Sequence, residues 1–171
     1  MRGLPPFPES YFEKYANKPV KIVPFDPVSK KKAQQYCVML QEYLAGIDIS
    51  IAHRGSTYFG IAGKGEIEIG IYADENTWDS VLAKLAQRYG PPENREENYA
   101  RFNDRAGREE IEIICLKGYE AEVDKKLHAY LMSRKDLLTE YEKLKRANAH
   151  SKKDYMIAKD TFLRRVIGII P

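Results

Sequence analysis

Cysteine is scarce in this sequence, and neither sign of charge is in large excess. The 171 residues include two cysteines, Cys37 and Cys115, which lie far apart and form no Cys-x-x-Cys pair. We therefore expect neither a disulfide framework nor a zinc site, and a reducing compartment such as the cytoplasm is favoured. The formal net charge is only +3, so no strong attraction to nucleic acid or to a membrane surface is expected.

Long apolar runs are also missing. None approaches the length of about 18 residues that a membrane-spanning helix needs, and the proline-rich N-terminus has too short an apolar segment for a signal peptide. A kinase-type phosphate loop, G-x-x-x-x-G-K-[ST], is absent, which argues against a P-loop kinase. We expect a cytoplasmic protein that does not enter membranes.

The chain does contain clear strand and helix patterns. Residues 1–18 are predicted to be an N-terminal extension whose aromatic residues pack on the domain or on a partner subunit, and residues 19–171 a single domain. Alternating apolar residues predict strands at 20–23, 47–52, 66–72, 99–102 and 109–116, with a turn at 103–107. Helical spacing predicts helices at 28–45, 76–89, 120–131, 133–147 and 151–167. The result is an α/β (α+β) fold: a small mixed sheet, one N-terminal helix and a C-terminal helical group.

Two of the C-terminal helices carry candidate start signals. Ser133 with Asp136, and Ser151 with Asp154, resemble capping boxes in which Asp replaces the usual Glu. Farther along these helices, Lys145 and Lys159 have two interpretations. They either line a substrate cleft or extend along apolar surface with their charged ends in water.

The segment around residues 53–71 holds the candidate site. Glu66 and Glu68 are separated by one residue, so in a strand both side chains point the same way and can share a hard cation. Gly55 and Ser56 precede them and can offer backbone N–H groups to a phosphate. Taken alone, each pattern also fits a simpler interpretation: a half-exposed strand with solvated acids, or an ordinary turn.

A second acidic strand follows at residues 109–116, with Glu110 and Glu112 on one face. If the two acidic strands are neighbours, Glu112 or Glu110 joins the first pair. The prediction is a magnesium or manganese site formed by Glu66, Glu68 and Glu112 beside the Gly-Ser segment. Arg54 and Lys64 are then the candidate side chains for neutralising phosphate charge.

Several motifs together resemble the GrpB-like proteins. They are, in order, 20–27 (VKIVPFDP), 53–57 (HRGST), 60–64 (GIAGK), 130–131 (YL), 141–145 (YEKLK) and 155–162 (YMIAKDTF), and they span about residues 20–166. The resemblance implies a nucleotidyltransferase-like mixed sheet flanked by helices. In that fold Gly-Ser is followed by acid–apolar–acid and by a third acid on a later strand, the positions of Glu66, Glu68 and Glu112 here.

The sequence departs from the family pattern in places. Glu112 stands where His is frequent, and both Glu66 and Glu68 are present where one acid is usual. All three acids are Glu, although Asp is more usual in active transferases. Leu127-His128-Ala129 replaces a common Phe-Arg-Asp, so any role of that Arg and Asp is lost.

Two functions follow from the resemblance. The first is a metal-dependent nucleotidyltransferase that moves a nucleoside monophosphate from a nucleoside triphosphate, with ATP favoured, to an unknown acceptor. The alternative is a non-catalytic nucleotide-binding or protein-interaction module that keeps the fold. Nucleic acid is not an expected partner, and a homo-oligomer formed through the N-terminal arm is a further expectation.

Overall fold

A five-stranded mixed sheet lies at the centre of the computed structural model, which describes residues 7–15, 17–106 and 109–171. Within those residues the strands are β1 (Ser50–Arg54), β2 (Ile67–Ala73), β3 (Asn94–Arg95), β4 (Tyr99–Ala106) and β5 (Glu109–Lys117). Their spatial order is β1-β2-β5-β4-β3, in which β2 and β5 are parallel and the other pairs antiparallel. The two acidic strands predicted from the sequence are therefore direct neighbours.

Seven helices surround this sheet in the described part of the chain. They are α1 (Glu9–Phe12), α2 (Val28–Tyr43), α3 (Gly55–Phe59), α4 (Trp78–Tyr89), α5 (Gly118–Met132), α6 (Lys135–Ala147) and α7 (Lys152–Ile169). None combines the length and the apolar character that a membrane crossing requires. The mixed α/β architecture predicted from the sequence is confirmed.

One face of the sheet is largely apolar. The alternate residues Ile67, Ile69 and Ile71 of β2 have no exposed surface, and they pack with Ile111 and Ile113 of β5 against α2 and α4. Because side chains alternate across a strand, burying these isoleucines turns Glu68 and Glu112 to the opposite face. The hydrophobic pattern thus fixes where the acids lie.

The C-terminal helices cover part of that opposite face. Ala121 of α5 packs with Tyr72, Ile114 and Leu116 of the sheet. The other buried hydrophobic residues of α5, α6 and α7, apart from Tyr155, form a second core that includes Phe59 of α3. This second core holds α6 and α7 next to the segment that joins β1 to β2.

The N-terminal extension packs on its own chain. Phe12 is buried, Glu13 forms an ion pair with Lys153 of α7 at 2.6 Å, and the backbone N–H of Val20 donates to the carbonyl of Ala149. Residues 1–6 and Ala16 of the predicted extension lie outside the described residues. The boundary at residue 18 remains a prediction, as does a homo-oligomer formed through this arm.

Several element predictions were wrong in detail. Residues 20–23 form no strand: only an isolated bridge joins Val23 to Gly63, because no strand of the sheet lies beside this segment. Residues 103–106 belong to β4 rather than to a turn, while Gly107 is outside the described residues. Strand β1 begins at Ser50, not at residue 47. Helix α6 begins at Lys135, so Ser133 does not cap it.

Candidate active site

A row of polar residues crosses the sheet on the face opposite the isoleucines. Arg54 of β1 lies opposite Glu68 of β2, which lies opposite Glu112 of β5, and Asn103 of β4 completes the row. Neighbouring strands lie about 4.8 Å apart. Glu68 and Glu112 are consequently held side by side by the backbone register. Glu110, the other acid considered on β5, is exposed and lies 3.7 Å from Arg105.

Glu68 is a buried carboxylate held in its charged form. Its side chain is only 16% exposed, and Oε2 lies 3.9 Å from Nε of Arg54. Burial alone would raise the pKa of Glu68, but the cations of Lys159, Arg54 and Lys64 outweigh burial and lower this pKa below its usual value. Glu68 therefore carries a negative charge at neutral pH.

Glu112 shows the opposite behaviour. Burial raises the pKa of Glu112, and the neighbouring charge of Glu68 raises it further, with Glu66 adding to the effect. Arg101 is the ion-pair partner, with Nη1 lying 3.8 Å from Oε1 of Glu112. Two adjacent carboxylates with opposite pKa shifts are typical of a pair that does not readily hold two negative charges.

Glu66 lies just before β2 and is paired with Lys64. Nζ of Lys64 is 2.5 Å from Oε2 of Glu66. Among the described residues no group of three or more His, Cys, Asp or Glu side chains is arranged to hold a metal ion. The use of Glu66 as a third ligand, and of Lys64 as a phosphate contact, remains a prediction.

Gly55 starts α3 directly beneath the Glu68 carboxylate. A Cβ atom at this position would lie 2.3 Å from Oε1 of Glu68, and the backbone has φ of +75°. Glycine is the residue that fits both conditions. The Gly55 N–H, predicted to contact phosphate, donates to Nε2 of His128 at 3.3 Å, while Nδ1 of His128 lies 2.8 Å from the carbonyl oxygen of Asp124.

Ser56, the next residue, is joined to a buried lysine of α6. The ammonium of Lys145 donates to Oγ of Ser56 at 2.7 Å and to the carbonyl of Ala62, and the Lys145 side chain has no exposed surface. Burial lowers the pKa of Lys145 to about 8, with the charge of Lys159 adding to the effect. Gly63 allows this close packing, since a Cβ there would lie 2.8 Å from Oγ of Ser56.

The guanidinium of Arg54 is already bound by a side chain of the protein. Its Nη2 lies 2.8 Å from Oδ1 of Asp124, whose Oδ2 accepts a 2.7 Å hydrogen bond from the hydroxyl of Tyr72. Nε and Nη1 of Arg54 are buried and have no hydrogen-bond partner within the part of the chain that the structure describes. The contacts shown fix Arg54 beside Glu68; its predicted role in phosphate binding remains untested.

Sequence reasoning gave no site role to His128 or Asp124. It also left Lys145 between two interpretations, and full burial rules out a lysine with its charge in water. These contacts join residues 73 and 89 positions apart, so no local spacing signals them. The sequence does contain one sign that His128 is unusual, because this residue occupies a position where the sequence departs from the family pattern.

The sheet and the helices around it have the nucleotidyltransferase fold. The structure resembles the conserved protein GrpB from Enterococcus faecalis with a TM-score of 0.69 and 18% identity, covering 86% of this chain and 95% of that one. It also resembles the cyclic dinucleotide synthase CdnE from Elizabethkingia meningoseptica, solved with GTP and Apcpp. That match has a TM-score of 0.53 and 12% identity, and covers 96% and 76% of the two chains.

The chain belongs to the GrpB family, because a family model described as GrpB protein matches residues 19–168. Comparison with curated protein sequences gives no match. The family and the fold suggested by the sequence motifs are therefore both confirmed.

Proposed function

We propose that this protein is a metal-dependent nucleotidyltransferase, which moves a nucleoside monophosphate from a nucleoside triphosphate to an acceptor. One observation carries the proposal. Two neighbouring carboxylates, Glu68 and Glu112, lie on the same sheet face as a Gly-Ser segment whose serine is paired with a buried lysine. Carboxylates and phosphate-binding donors are the two parts that this reaction needs.

The acidic pair is suited to a divalent cation. Glu68 and Glu112 repel each other, and a cation between them relieves that repulsion. Mg²⁺ is commonly held by one or two carboxylates together with substrate phosphates, so these two residues are a sufficient protein set. When bound, the ion supplies Lewis-acid stabilisation of the charge that develops on the phosphates.

The Gly55–Ser56 segment and α6 form the donor side of the site. The Ser56 hydroxyl and the Lys145 ammonium can bind terminal phosphate oxygens, because both are donors held 2.7 Å apart and Lys145 is fully buried. An arriving phosphate adds negative charge beside Lys145, which raises the lowered pKa of this lysine. Lys145 would thus bind the triphosphate as a cation. Lys64, whose charge acts on Glu68 and Glu112, is the further candidate phosphate contact.

Glu112 is suited to be the base. Burial and the charge of Glu68 raise its pKa in the cation-free protein, and a bound cation would keep the carboxylate ionised and able to accept a proton. In the proposed step, the acceptor oxygen or nitrogen forms a bond to the α-phosphorus, and the acceptor proton moves to Glu112. The bond between the α-phosphorus and the bridging oxygen breaks, and pyrophosphate leaves with the electron pair.

A second candidate function is a non-catalytic nucleotide-binding module. It is favoured by the protein's own side chains, which already occupy groups that a phosphate would use. The Gly55 N–H is bonded to His128, and Arg54 is bonded to Asp124. In this alternative Glu112 has no chemical role.

Label transfer separates the two functions. Triphosphates labelled at the α-phosphate are incubated with the protein, Mg²⁺ and a small-molecule extract, and labelled acceptor and pyrophosphate are measured. We expect Glu112→Gln to lower the transfer rate at least about 100-fold. The matched control Glu110→Gln, which changes an exposed acid on the same strand, should keep the wild-type rate. Binding of Mg²⁺ and ATP without any label transfer would instead support the module.

A further inference from the structure

A partly buried arginine lies across the acidic pair from the donor side. In the strand order β1-β2-β5-β4, Ser56 follows β1, the acids occupy β2 and β5, and Arg101 lies beyond them on β4. Arg101 is in register with Ile114, two residues after Glu112, so both side chains are on the same sheet face. An acceptor that approaches Glu112 from the side opposite Ser56 therefore meets Arg101.

The guanidinium of Arg101 has unused hydrogen-bonding capacity. Nη2 donates to Oε2 of Glu93 at 2.9 Å, and Nη1 lies 3.8 Å from Glu112, beyond hydrogen-bond distance. Nε is buried and has no partner among the described residues. A buried donor without an acceptor destabilises the folded protein, and an anion that accepts from it removes this loss.

The surroundings of Arg101 are aromatic. Burial raises the pKa of Tyr99 to about 12, and the charge of Arg101 opposes that rise. Arg101 acts in the same way on Tyr15 of the N-terminal arm, whose hydroxyl donates to Tyr11 at 3.5 Å. Tyr15 of the arm is therefore within electrostatic range of Arg101.

We propose that Arg101 forms an acceptor subsite, which binds a phosphate or carboxylate group on the molecule that receives the nucleotide. This inference rests on the proposed transferase function. The guanidinium presents paired donors that match either anion. The acceptor is small, with its hydroxyl or amine within a few bonds of the anionic group, because Arg101 and the base Glu112 are only 3.8 Å apart.

Arginine side-chain NMR tests this subsite without requiring activity. The Nε–H signal of Arg101 is assigned in ¹⁵N-labelled protein by its loss in Arg101→Lys, and inorganic phosphate and acetate are titrated separately. We expect a saturable shift of this signal, and the stronger of the two probes identifies the anion class. Glu93→Gln frees Nη2 and is expected to lower the dissociation constant of that probe several-fold.

Arg105 provides the matched control, because it is a more exposed arginine on the same strand and face. Its Nε–H signal should stay in place during the titration. Equal shifts at Arg101 and Arg105 indicate general anion attraction and overturn the proposal, as does an unmoved Arg101 signal. If a short single-stranded RNA shifts the Arg101 signal and neither small anion does, the proposal that the acceptor is a small molecule is wrong.

The transfer assay distinguishes failure of this inference from failure of the proposed function. Arg101→Gln should raise the KM for the acceptor about tenfold or more and leave the KM for the triphosphate unchanged, while Arg105→Gln behaves as wild type. If transfer occurs and both variants behave alike, the subsite is wrong and the function stands. If no transfer occurs but phosphate shifts the Arg101 signal, the subsite stands as an anion site and the transferase function fails.

Discussion

The Glu68 carboxylate leaves no room for a side chain at residue 55. Gly55 has φ of +75° and a Cβ there would contact Glu68, whereas Gly46 has a similar φ of +86° with no atom within 4 Å. Both substitutions by alanine should cost about 1–2 kcal/mol from the unfavourable φ. Gly55→Ala should cost more, because it also moves Glu68 away from Arg54.

Urea unfolding of Gly55→Ala and Gly46→Ala checks this expectation. The two variants share the backbone strain, so the difference between their free energies of unfolding reports the contact with Glu68. Equal losses of stability would show that Glu68 moves without cost and that its position beside Gly55 is not tightly fixed.

The lowered pKa of Lys145 predicts that the stability of the protein depends on pH. Its folded pKa of about 8 is below its ordinary value of 10.5 because the side chain is buried. Between these values the unfolded chain binds a proton that the folded protein has released. The stability of the wild type should therefore rise by about 1–3 kcal/mol relative to Lys145→Met from pH 8 to pH 10.

Denaturant unfolding at each pH measures the difference between the two proteins. Lys143→Met, a change of an exposed lysine on the same helix, is the control and should follow the wild-type curve. Parallel curves for wild type and Lys145→Met would contradict a lowered pKa for Lys145.

At the scale of elements, the two similar serine motifs of the C-terminal helices differ in structure. The Ser151 hydroxyl accepts the Asp154 N–H at 3.2 Å and caps α7, whereas the Ser133 hydroxyl donates to the carbonyl of Tyr130. Ser151→Ala should therefore destabilise the protein by about 1 kcal/mol, and Ser133→Ala by less. Thermal unfolding compares them, and a larger loss in Ser133→Ala would reverse this assignment.

Local sequence patterns predicted the elements that pack strongly against others. The apolar alternation correctly predicts the strands β2 and β5, because their isoleucines are buried on one face of the sheet. The same alternation at residues 20–23 was misleading, since a strand also requires a partner and this segment has only the bridge between Val23 and Gly63. Partners distant in sequence are not visible in a local pattern.

At the scale of the whole molecule, the two faces of the sheet have different roles. One face is an apolar core, and the other holds the acids between the serine–lysine pair and Arg101. The residue patterns and the family motifs predicted Gly55, Ser56, Glu66, Glu68 and Glu112 as site residues, and their roles remain predictions. Lys145 and Arg101 reach the same face through α6 and β4, so recognising their place required the three-dimensional packing of those elements.

The most direct test of the acidic pair is the effect of Mg²⁺ on nucleotide affinity. Calorimetric titration with a hydrolysis-resistant ATP analogue is performed in Mg²⁺ and in EDTA for wild type, Glu112→Gln and Glu110→Gln. We expect Mg²⁺ to tighten binding about tenfold or more in wild type and in Glu110→Gln, and to have no effect in Glu112→Gln. Equal affinities with and without Mg²⁺ in the wild type, or an undiminished effect of Mg²⁺ in Glu112→Gln, would contradict the account.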